Sequence, residues 1–118
     1  MSLQPLDALT KLPDAAVLME LAVGGALRTR ITGYLAGKLW IEPRDGRKPH
    51  WVHALRIYVP EADKRSVPAY WDITSKKLCT GLLPWLESGA FRGKVFTFTK
   101  ISAPPVGDYT LDVTPESP

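Results

Sequence analysis

The order in which hydrophobic periodicity changes along this chain limits its fold more than any single residue does. Ala26 to Ile41, Trp51 to Val59 and Val67 to Ile73 alternate with a period of two, the pattern of half-buried strands. Thr74 to Ser88 then switches to helical spacing, with Leu78, Leu82 and Leu86 at i, i+4 and i+8 behind a Thr74 or Ser75 cap. Gly93 to Ile101 and Tyr109 to Val113 return to alternation. This β-β-β-α-β-β succession predicts an all-β domain: a five-stranded Greek-key barrel with one short helix plugging an end.

Breakers divide the chain consistently with that reading. Residues 1–25 are a lead-in punctuated by Pro5 and Pro13, read as a short helix or extended segment and closed by Gly24-Gly25. Residues 26–113 are the barrel, and 114–118 a loose polar tail. Gly33 and Gly37 inside the first strand predict a bulge or bend that lets one strand serve two sheet faces. Asp45-Gly46 is the tip of a turn over 42–49, and 61–66 reads as a hydrophilic loop. Pro84 is a point at which the helix could split.

The 118 residues suit one domain, and no apolar run approaches the roughly 20 residues of a spanning helix. No signal-peptide pattern is visible, and a lone cysteine, Cys79, fits a reducing cytoplasm. Cys79 lies on the apolar side of the helix and reads as a buried small hydrophobe. Two histidines and one cysteine give no zinc set, the aspartates are scattered without acid/base pairing, and no phosphate-cradling glycine loop is present. Neither an enzyme nor a cofactor is expected.

Charge is unevenly placed. Residues 1–25 carry −2, residues 26–60 carry +5, and the remainder balances, within an overall +3. The positive stretch is interleaved with Tyr34, Trp40, Trp51, Tyr58 and, beyond it, Tyr70. Single-stranded nucleic acid is held by such a mixture, in which cations follow phosphates and flat side chains stack on bases. Alternation places Leu27, Ile31 and Leu35 of the first strand and Leu55, Ile57 and Val59 of the second inward. Arg28, Arg30, Tyr34, Arg56 and Tyr58 then form one outward patch, with Trp51 and His53 at the barrel mouth. Trp71, Phe96 and Phe98 are assigned to the core, as is the leucine stripe.

Three stretches carry a family resemblance: Trp71-Asp72-Ile73-Thr74 leading into the leucine helix, Gly93-Lys94-Val95-Phe96-Thr97-Phe98-Thr99-Lys100, and Tyr109-Thr110-Leu111-Asp112-Val113. With the element order, they make residues 26–113 resemble the single-stranded DNA-binding proteins of the oligonucleotide/oligosaccharide-binding (OB) fold, in their divergent bacteriophage and mobile-element form. The resemblance implies sequence-tolerant binding of DNA strands, ahead of RNA, during replication, recombination or transposition, often by a homo-oligomer. Phosphates would be met by Arg28, Arg30, Lys38, Arg44, Arg47, Lys48 and Arg56, bases by Tyr34, Trp51, Tyr58 and Tyr70, with His53 beside them. The chain departs from bacterial members in ending Thr114-Pro115-Glu116-Ser117-Pro118, without a long acidic tail. The alternative from another class is an OB-fold protein-interaction or assembly module that binds no nucleic acid.

Overall fold

The stretch expected as one long first strand forms two. In the computed structural model, which describes residues 5–42, 46–65, 67–102 and 108–116, β1 (Ala26–Thr29) and β2 (Gly33–Ile41) join different sheets. β1 pairs antiparallel with β5 (Lys94–Lys100), which pairs with β6 (Tyr109–Pro115). β2 pairs with β3 (His50–Tyr58), which pairs with β4 (Tyr70–Ile73). The structure is mostly β, as expected, but among the described residues it has six strands in two three-stranded sheets and not one five-stranded barrel. Among the described residues no ladder joins β4 to β6.

The break at Arg30 to Thr32 has an identifiable cause. A four-residue helix, α1 (Glu61–Lys64), stands where a loop was expected and brings Asp63 against the bend. Asp63 Oδ2 accepts the Arg30 backbone N–H at 2.9 Å, a donor that would otherwise continue a ladder. Thr32 then donates to the Tyr58 carbonyl at 2.8 Å and opens the second sheet. The break also shifts the phase of alternation. Leu27 packs against the core and Ile31 is buried, but Leu35, expected inside, is 39% exposed, while Tyr34 stands opposite the buried Ile57.

α2 (Lys76–Glu87) crosses below the sheets as one continuous helix. Ser75 caps it, accepting the Leu78 N–H at 3.3 Å. Pro84 does not split it, because Leu78, Leu82, Leu83 and Leu86 are all buried. Burial of about 1.5–3 kcal/mol per leucine outweighs the roughly 3 kcal/mol that an internal proline costs. These leucines meet Leu55, Ile57, Ile73, Phe96 and Phe98 in the main core, and Trp71 packs at its margin.

Of the two forms expected for the lead-in, the extended one predominates, and it is tied down along its length. After a 3-10 turn at Leu6–Ala8 it runs extended and straps the β2-β3-β4 sheet from edge to edge. At the β2 edge, Leu12 donates to the Lys38 carbonyl and Lys38 to that of Thr10. At the β4 edge, Asp72 donates to the Val17 carbonyl and Met19 to that of Asp72. Gly37 makes the first contact possible: a Cβ there would lie 2.7 Å from a Leu12 methyl and 2.8 Å from the Thr10 carbonyl oxygen. This glycine marks a close approach within an unbroken ladder, not the predicted bulge. Met19 continues into the core beside Ile73 and near Tyr109, at the gap between the two sheets.

Between its two edge contacts the strap covers Arg56, which is 0% exposed. Arg56 stands opposite Asp72 in the β3-β4 register and forms a two-pronged ion pair, Nε to Oδ1 at 2.7 Å and Nη2 to Oδ2 at 3.0 Å. Its Nη1 donates to the strap's Pro13 carbonyl, and its guanidinium lies 4.0 Å from the Tyr70 ring centre. Asp72 Oδ2 also accepts the Val17 N–H at 2.9 Å, and the Tyr70 hydroxyl donates to the Ala15 carbonyl at 2.6 Å.

Removing one partner strands a buried charge, at a cost of about 3–5 kcal/mol. Arg56→Met and Asp72→Asn are each expected to lower the unfolding free energy by about that amount in urea denaturation. A loss below about 1 kcal/mol in both variants would contradict this account of the strap. Cys79 supplies a second check. Burial pushes its thiol up to about 12, and its Sγ lies 3.3 Å from the Ile73 carbonyl. A thiol reagent at pH 8 should label it only as fast as the protein unfolds; rapid labelling under native conditions would show that α2 opens independently.

Candidate nucleic-acid interface

The residues proposed from alternation as one patch are dispersed by the fold. Arg56 is buried beneath the strap, and Tyr70 is buried with it, so neither meets a ligand. An arginine in an apolar strand reads as outward only while nothing covers that face. Arg28 is exposed but lies on β1, in the other sheet from Tyr34 and Tyr58. Arg30 is committed to Asp63, at 3.0 Å from Nη2 to Oδ1, and to Glu116, at 3.1 Å. Tyr58 is half-buried, edge-on to Tyr70 at 5.9 Å, and Tyr34 is edge-on to Phe91 at 6.5 Å. Arg44 lies outside the described residues.

The same fold assembles a different group at the far end of the β2-β3 hairpin. Lys38 stands opposite His53, and Trp40 opposite Trp51. The two indoles meet edge-to-face, 5.3 Å apart at 69°. Lys38 Nζ sits 4.9 Å from the Trp51 ring centre, within cation–π range. Trp40 remains 47% exposed. Arg47 and Lys48 are exposed in the connecting turn, where His50 Nδ1 donates to the Lys48 carbonyl at 2.9 Å.

Alternation explains why this group faces outward. Leu39 is buried with Leu12 and Ala54 in a small second core, against which Leu18, Ile41 and Val52 pack. That core fixes one face of the hairpin against the strap, so the intervening Lys38 and Trp40 must take the other face. Beside Trp40, a cleft of about 550 Å3 runs to the strap, with Ala16, Leu18 and Ile41 as apolar wall and Glu20 and Glu42 at its rim.

Sequence reasoning had Lys38, Trp51 and His53 but did not assign Trp40 a stacking role. The signal available was the cross-strand register that the Asp45-Gly46 turn implies, which sets Trp40 against Trp51. Chemically, the hairpin offers two flat apolar faces, one of them already polarised by an ammonium, with basic residues at the turn. Among the described residues no group of three or more histidine, cysteine, aspartate or glutamate side chains could hold a metal ion. No described helix is long and apolar enough to cross a membrane.

Protein-family models, curated proteins and solved structures contain no match to this chain.

The Arg30–Asp63 pair at the bend makes stability depend on acid pH. The Arg30 guanidinium, opposed by partial burial, holds the Asp63 carboxyl below its usual 3.8. A depressed carboxylate stabilises the fold above its unfolded pKa, and that contribution is lost as pH falls through the folded value. Asp63→Asn should therefore reduce stability at pH 7 and flatten the decline below about pH 4, followed by thermal unfolding across pH. An unchanged acid limb would rule out this pair as its source.

Proposed function

We propose that this protein binds single-stranded nucleic acid, DNA ahead of RNA, with the β2-β3 hairpin as its stacking end. The observation that carries the reading is the Lys38, Trp40 and Trp51 cluster, an aromatic pair with a cation over one ring on a face that the fold leaves open. Bases stack on such rings at about 1–3 kcal/mol each without regard to sequence, while Lys38 and the basic turn follow the phosphates. Connectivity supports an OB-like relationship. If β1 and β2 are counted as one bent strand, the order is five strands with a helix between the third and fourth, and that strand pairs with both the second and the fourth. The site differs from the one expected, because the strap occupies the sheet face and displaces binding to the hairpin.

Trp40 and its neighbouring cleft also favour a second reading, a protein-interaction module that receives an apolar or cationic side chain against Trp40, Glu20 and Glu42. One titration separates the two. A dT oligomer should quench tryptophan fluorescence, with affinity falling steeply as salt rises. Trp51→Ala should weaken binding by about 5- to 100-fold, and Lys38→Ala should reduce the salt slope by about one unit. Absence of quenching at low salt with dT, its RNA equivalent and mixed-sequence strands would leave the interaction module as the surviving reading.

A further inference from the structure

A second basic site lies on the other sheet, independent of the hairpin. A cleft of about 480 Å3 is walled by Arg28 and Arg30 at the end of β1, Asp63 and Arg65 at α1, and Val95 and Glu116 at the β5-β6 edge. Its charges are not equivalent. Asp63 and Glu116 are both spent on Arg30, which donates three hydrogen bonds to them from Nε, Nη1 and Nη2 and keeps two of its five N–H groups. Arg28 and Arg65 have no carboxylate partner among the described residues. Three arginines and two carboxylates therefore line one concavity, a net charge of +1, with both carboxylates turned to Arg30, which they fix in place.

Arg65 carries a further mark. It ends α1 in the left-handed region, φ 60° and ψ 22°, its N–H closing on the Glu61 carbonyl at 2.7 Å. Glycine or asparagine suits that position, and a long side chain there is held at some backbone cost. The same residue lines the cleft.

We propose that this cleft is a phosphate-binding site in which Arg28 and Arg65 ligate the anion and the pinned Arg30 offers its remaining N–H groups. A phosphate monoester carries about −1.5 to −2 at neutral pH, attracted by the two arginines that have no carboxylate partner, and its oxygens accept paired N–H donors from planar guanidiniums. The anion is either the terminal phosphate of a nucleic-acid strand or a free phosphate such as pyrophosphate. The site stands on its own geometry and does not require the hairpin to bind bases.

The test uses the full chain with pyrophosphate, by calorimetric titration and by thermal unfolding against sodium chloride of equal ionic strength. Wild type should bind and be stabilised beyond the chloride control. Arg28→Ala and Arg65→Gly should each weaken binding by about tenfold or more. Arg65→Gly also relieves the left-handed strain, so it should unfold no earlier than wild type and thereby separate lost binding from lost folding. A 5′-phosphorylated short oligonucleotide compared with its 5′-hydroxyl form distinguishes the sources. An advantage for the phosphorylated strand that disappears in Arg65→Gly assigns the site to strand ends; equal strands with pyrophosphate still bound assign it to free phosphate. Stabilisation no greater than in chloride, or equal pyrophosphate affinity in wild type and both variants, would overturn the proposal.

Discussion

The buried pair of Arg56 and Asp72 is the contact on which the arrangement of the first sheet depends. Two charges removed from water are tolerated only when nearly every donor and acceptor finds a partner. Here the partners are supplied partly by the strap. Arg56 reaches Pro13, Asp72 receives Val17, and Tyr70 beneath them reaches Ala15. The pair thus demands the strap, and the strap's backbone bonds to Lys38 and Asp72 fix its register at both edges. A sheet that could otherwise show that whole face to solvent is covered by the strap over Arg56, Asp72 and Leu39.

That covering has a consequence for function. A β-sheet face crossed by its own chain is not a groove for a ligand, so the open surface moves to parts the strap does not reach. The hairpin face that carries Lys38 and Trp40, opposite the one packed on the strap, is one such part, and the outer side of β1 at Arg28 is another. Each combines a rigid element with cationic groups, and they lie on different sheets, which argues for two sites of distinct chemistry, aromatic at the hairpin and guanidinium-rich at the bend.

Much of the fold was legible in the sequence because it rests on local signals. The helix with its Ser75 cap and leucine stripe, the last two strands, and the hairpin turn follow from periodicity and breakers. A bend near Gly33 that lets the first strand serve two sheet faces was legible, but the clean break at Arg30 to Thr32 was not, since it depends on Asp63 capturing the Arg30 N–H from 33 residues away. The strap was missed for a similar reason: two isolated bridges and a glycine approach leave no period to read. Once the strap is hidden, Arg56 reads as a surface residue, although Arg56 within Ala54 to Val59 and Asp72 within Tyr70 to Ile73 are opposite charges set in apolar runs on neighbouring strands. At the hairpin, composition pointed to the correct stretch, but which aromatics meet was decided by register, and register placed Trp40 rather than Tyr58 or Tyr70 beside Trp51.

The charge excess of residues 26–60 also changes meaning once positions are known. Of its seven basic side chains, Arg56 is neutralised in the interior and Arg30 at the bend. Among the described residues, Lys38, Lys48 and Arg28 have no carboxylate partner, which is a smaller footprint than the sequence suggests. Phosphate contacts scale with the cations that are free to make them, whereas stacking does not. An interface at this hairpin therefore has to draw a larger share of its affinity from Trp40 and Trp51 than from charge, and the rigid small core of Leu12, Leu39 and Ala54 behind them is what lets two indoles hold an open edge-to-face arrangement in water.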